Sequence, residues 1–80
     1  LDINKEERFE FIIDEYNTII YDKDIKIWWL EKESDDDHTT MEIICSDTID
    51  FPEEGFISIN EDFTLTLELF EKYKSIINNL

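Results

Sequence analysis

Cys45 and His38 are the only cysteine and histidine in the sequence, and they stand seven residues apart. A thiolate beside an imidazole is a nucleophile with its base, the arrangement used for acyl transfer. The surroundings argue against that use. Cys45 falls on an apolar position of a strand-like run, where a packed and inert thiol is expected. His38 follows three aspartates in a polar loop. A lone cysteine also excludes an internal disulfide and a cysteine zinc site. No catalytic residues are expected.

Carboxylates are the other reactive groups. Asp35, Asp36, Asp37 and His38 offer oxygens and a nitrogen to a divalent cation. Adjacent carboxylates on an extended chain point in different directions, and the run lacks the glycine and the spaced oxygens of an EF-hand loop. Asp22-Lys23-Asp24 fails the same pattern. Gly55 is the only glycine, which forbids a glycine-rich phosphate loop. Neither a metal nor a cofactor is expected.

What the carboxylates can do is set a field. The 80 residues hold 22 acids and 7 bases, for a net charge of −15. Such a chain repels nucleic acid and anionic membranes and attracts basic proteins. The charge is uneven. Residues 31–62 hold 12 acids and one base, for −11, residues 1–30 sum to −4 and residues 63–80 to zero. No lysine or arginine lies between Lys32 and Lys72. Glu31, Glu33 and Asp35 alternate, which on an extended chain spaces them roughly 6–7 Å apart. A nucleic-acid backbone also presents regularly spaced negative charge. The candidate partner-binding acids are Glu31, Glu33, Asp35, Asp36, Asp37, Glu42, Asp47, Asp50, Glu53 and Glu54. The plain alternative is a solvated surface that keeps a small protein in solution.

Elements must position these groups. Phe9, Ile12, Ile13, Tyr16, Ile19 and Ile20 fall on one stripe at helical spacing, which predicts a first helix over 4–21 with Asn4 as N-cap. Phe11 lies off that stripe. Ile25, Ile27 and Trp29 alternate with Lys26, Trp28 and Leu30, predicting a strand over 24–33. Thr40 to Ser46 reads as a second strand, joined to the first as an antiparallel hairpin through the loop at 34–39. Residues 47–55 hold the only proline and glycine and read as a loop. Phe56 to Ile59 is a short third strand. From about residue 61 to the C-terminus the apolar spacing is helical, with Asn60 as N-cap.

The order α-β-β-β-α predicts a single α+β domain over 1–80: a three-stranded, mostly antiparallel sheet with two helices on one face. A chain of this length buries only about 60–65% of its unfolded surface, so one small core is the expectation. The 14% aromatic content separates it from disordered acidic tails. In that packing Ile25, Ile27, Trp29, Met41, Ile43 and Cys45 face the helices. Trp28, Leu30 and Ile44 then lie on the open face as an apolar anchor. Either a partner, the N-terminal tail or residues 47–55 with Ile49 and Phe51, or a second copy of the chain would cover them.

The expected function is a non-enzymatic acidic protein that blocks a basic, nucleic-acid-handling partner by mimicking nucleic acid. Phage anti-CRISPR and anti-restriction inhibitors, nuclease immunity proteins and antitoxins share this profile of size and charge. The alternative is an accessory module that dimerises or docks on a larger subunit through its open sheet face. No basic-then-apolar leader is visible and no apolar run approaches ~18 residues, so a cytoplasmic location is expected.

Overall fold

The computed structural model describes residues 7–80, which divide into two compact units between Asp50 and Phe51. The first is a four-stranded antiparallel meander, β1 (Arg8–Ile12), β2 (Asn17–Asp22), β3 (Ile27–Glu33) and β4 (Thr39–Cys45), in that spatial order. The second holds a two-stranded sheet, β5 (Phe56–Ser58) with β6 (Thr64–Thr66), followed directly by α1 (Leu67–Asn78). This corrects the predicted three-stranded sheet with two helices.

The predicted first helix is a β-hairpin. Phe9 pairs with Tyr21 and Phe11 with Ile19 across β1 and β2. The stripe that fits a helix also fits two strands broken by a turn, and Phe11, the residue off the stripe, marks the difference. Five isoleucines and threonines between residues 12 and 20 are stiff at χ1 and suit a pleated surface better than a helix. The turn is built by Asp14, whose Oδ1 accepts from the backbone N–H of Tyr16 at 2.8 Å and of Asn17 at 2.7 Å. The Asn17 side-chain amide donates to both Asp14 oxygens at 3.0 Å. The proposed cap, Asn4, lies outside the described residues.

The same device recurs at other turns. Asp22 Oδ1 accepts from the N–H groups of Asp24 and Ile25 at the β2–β3 turn. There Lys26 takes a left-handed φ of 58°. Ser46 Oγ accepts from Thr48 and Ile49 after β4. Asn60 Oδ1 accepts from Asp62 and Phe63 between β5 and β6, both at 2.7 Å. Short polar side chains that hydrogen-bond the backbone two and three residues on substitute for turn glycines. Where a left-handed residue is needed in the second unit, Gly55 supplies it at φ 84°.

Register decides which face is buried. Phe9, Phe11, Ile19, Tyr21, Trp28 and Leu30 share one face of the main sheet, and their rings stack. The Tyr21 and Trp28 centroids are 4.8 Å apart, Phe11 and Trp28 6.1 Å, and Phe9 and Tyr21 6.5 Å. Between Trp28 and Trp29 the β3–β4 register shifts, so that Cys45 opposes Trp28 while Ile43 opposes Trp29. Such a β-bulge leaves Ile44 as the extra residue, and Ile44 is buried.

The last helix begins at Leu67 rather than near residue 61. Thr64-Leu65-Thr66 alternates exposed and buried as a true strand against β5. Thr66 then serves as N-cap, its Oγ1 accepting from Leu69 N–H at 3.1 Å. Within this unit Leu65 and Phe70 are buried, and the rings of Phe51 and Phe70 stack at 5.0 Å. The Leu67 N–H donates to the Gly55 carbonyl at 2.9 Å, tying the helix start to the loop before β5. No helix among the described residues is long and apolar enough to cross a membrane.

Candidate functional site

The antiparallel meander places the β1–β2 turn and the β3–β4 loop at one end of the sheet. Asp14, Glu15, Glu33, Asp35, Asp36 and Asp37 therefore gather there from two separate segments. The two segments touch. Glu33 N–H donates to the Tyr16 carbonyl at 2.8 Å. The Tyr16 hydroxyl is hydrogen-bonded to the Asp35 carboxylate, whose bond and charge, with Glu15 adding, push the phenol above its usual range.

Within the loop, Ser34 Oγ donates to Asp36, and this bond holds the Asp36 carboxyl below the ordinary aspartate range. His38 Nδ1 lies 3.1 Å from Asp36 Oδ2. Asp37 sits at a φ of 65°, a left-handed position that aspartate tolerates better than most residues. The three aspartates thus have different jobs and do not converge on a point. Among the described residues no group of three or more histidine, cysteine or acidic side chains is placed to hold a metal ion.

Glu31 is occupied. Its Oε2 accepts from Trp29 Nε1 at 3.2 Å and lies 3.7 Å from the Arg8 guanidinium. Arg8 in turn lies over the Trp29 ring, 5.2 Å from its centroid. This cluster joins β1 to β3 across the face opposite the aromatic stack, with the guanidinium stacked over the indole of Trp29.

The other predicted acids spread along the β4 side. Glu42 is exposed in the middle of β4, opposite Leu30. Asp35 to Asp37 precede the strand, and Asp47 and Asp50 follow it. Asp47 reaches electrostatically to Tyr21, whose phenol is raised first by burial and then by this charge. Glu53 and Glu54 are exposed in the second unit.

The predicted apolar anchor is not exposed. Trp28 retains 5% of its accessible surface, and Leu30 and Ile44 retain 3% each. The predicted faces are exchanged on β4, where Met41 is 62% exposed and Ile43 49%. The reason is the misread hairpin: β1 and β2 bring Phe9, Phe11, Ile19 and Tyr21 to the face of Trp28 and Leu30. Burial removes the surface through which Trp28 was expected to anchor a partner or a second copy. Met41 and Ile43, core positions by sequence alternation, are exposed although Ile43 opposes the buried Trp29.

The remaining reactive pair is separated. His38 precedes β4 and Cys45 ends it, so the two lie at opposite ends of a strand about 20 Å long. A hydrogen-bonded thiol and imidazole would need them within about 3.2 Å.

No protein-family profile, curated protein or solved structure matches this chain.

Proposed function

We propose that the chain is a non-enzymatic acidic binding protein that blocks a basic, nucleic-acid-handling protein by standing in for the nucleic acid. One observation carries the reading. The stretch at 31–62 holds −11 of the charge, with Lys32 its only base. Charge concentrated in this way steers and selects basic partners. The contacting acids in this reading are Glu33, Asp35, Asp36, Asp37, Glu42, Asp47 and Asp50 on the main-sheet unit; Glu53 and Glu54 belong to the second unit and add to its own charge. Glu31 contributes charge while engaged with Arg8 and Trp29. The inhibitor works from the cytoplasm, where nucleic-acid enzymes act.

The test is capture from an extract of the source cells at low and high salt. The captured protein should be one that handles nucleic acid, should release as salt rises, and should be displaced by duplex DNA or RNA. The triple change Asp35→Lys, Asp36→Lys, Asp37→Lys should weaken capture by at least about tenfold, since it exchanges attraction for repulsion at the interface. Capture that ignores salt, survives that change and is not displaced by nucleic acid would refute the proposal.

A further inference from the structure

The strand β4 ends the sheet, and among the described residues it is paired on one side alone, to β3. From Thr39 to Ile43 its register with β3 runs without interruption, until the shift beyond Ile43. An edge strand presents unpaired N–H and C=O groups as a template for another strand. Proteins usually blunt such edges with charge, proline or short length. β1, the other edge, follows that rule with Arg8 and Glu10 on five residues. β4 does not. Its seven residues carry one charge, Glu42, and no lysine or proline, and they expose Met41 and Ile43 on one face.

Charge decides what can pair there. Asp35 to Asp37 lie before the strand, Glu42 in its middle, Asp47 and Asp50 after it, and no base occurs between Lys32 and Lys72. A second copy would bring the same acids against these. A basic strand meets acids before, in the middle of and after the edge, the one base beside them being Lys32 of β3, opposite Thr40.

We infer that the β4 edge at Thr39–Ile43 accepts an extended, basic segment of the partner as a fifth strand. This rests on the proposed function and specifies how the partner is held. Alternation dictates the segment's pattern. Side chains on the Met41 and Ile43 face are apolar, and those on the Glu42 face are basic, because successive residues of a strand point to opposite faces. Main-chain hydrogen bonds hold the segment and the acids select it.

The probe is a synthetic ten-residue peptide of alternating lysine and valine. Its control is the same peptide N-methylated at alternate backbone nitrogens, which keeps charge and side chains and removes the strand's donors. At low salt the first peptide should slow hydrogen exchange of the outward-facing amides in Thr39–Ile43 by at least about tenfold and leave β1 unchanged. The control should bind about tenfold more weakly or worse. Ile43→Lys and Met41→Lys, both at exposed positions, should each weaken binding of the first peptide by a similar factor. Salt-sensitive binding without protection of β4, equal for both peptides, overturns the strand addition and leaves the acidic-surface reading standing. Absence of binding by either peptide at low salt overturns both.

Discussion

Asp14 and Asp22 hold equivalent places in consecutive turns, and replacing each by alanine separates two kinds of hydrogen bond. Asp22 accepts from two exposed backbone N–H groups, of Asp24 at 2.9 Å and Ile25 at 3.3 Å. Water replaces a lost acceptor there, so Asp22→Ala should cost about 0.5–1 kcal/mol. Asp14 accepts from two backbone N–H groups and also from the side-chain amide of Asn17. Asn17 is the one buried polar residue among those described, and its Oδ1 already has no hydrogen-bond partner. Asp14→Ala therefore leaves a buried amide without an acceptor, a penalty of about 1–3 kcal/mol above the turn effect. The total, about 1.5–4 kcal/mol, is a large share of the ~4–12 kcal/mol expected for a chain of this size. Urea unfolding followed by the fluorescence of Trp28 and Trp29, both buried in this sheet, measures it. With a slope near 1 kcal/mol per molar urea, the midpoint should fall by about 1.5–4 M for Asp14→Ala and by about 1 M or less for Asp22→Ala. Equal losses for the two variants, within about 0.5 kcal/mol, would refute the assignment of the difference to the Asn17 amide.

Three further outcomes are expected. Arg8→Ala should remove the cover of Trp29 and the charge beside Glu31, costing about 1 kcal/mol and shifting tryptophan emission to longer wavelength. Thr66→Ala should cost about 1 kcal/mol by removing the α1 N-cap, read as a lower thermal midpoint in helical circular dichroism. Tyr21 carries a folded pKa raised above 10.0 by burial first and Asp47 second. The unfolded chain therefore releases its proton first. Stability is full below pH 10, falls as pH rises through the folded value, and should fall less steeply in Tyr21→Phe, as measured by urea titrations between pH 9 and 11.

The β3–β4 hairpin was legible because alternation of aromatic and β-branched residues around Trp28, Trp29, Ile43 and Ile44 has no helical reading. The β1–β2 hairpin was not, because Phe9, Ile12, Ile13, Tyr16, Ile19 and Ile20 satisfy a period of 3.6 as well as two strands with a turn. The turn itself was written in Asp14 and Asn17, short polar residues in mid-stripe, and that signal outweighs periodicity in a chain without alanine. At the C-terminal end both periods were real in succession: Leu65 belongs to a strand and Phe70 to a helix, with Thr66 between them as the cap. The acidic loop at 34–38 was found from composition alone. Its junction with Tyr16, the engagement of Glu31 by Arg8 and Trp29, and the exposure of Met41 depend on which strands are neighbours. No local pattern carries that information. Reading one hairpin as a helix therefore left Trp28 and Leu30 exposed in the sequence reading, although they are buried as Trp29 is.

The turns also bear on how this sequence can drift. Asp14, Asp22 and Asn60 accept backbone hydrogens through a short side chain, so those positions admit few replacements, and aspartate is among the best of them. Asp47 and Glu42 face water and tolerate lysine as far as folding is concerned. A survey of tolerated substitutions would divide the acids into those kept by the backbone and those kept only by an external selection. Retention of the second group in variants chosen for folding alone would mean that solubility, rather than a partner, maintains them.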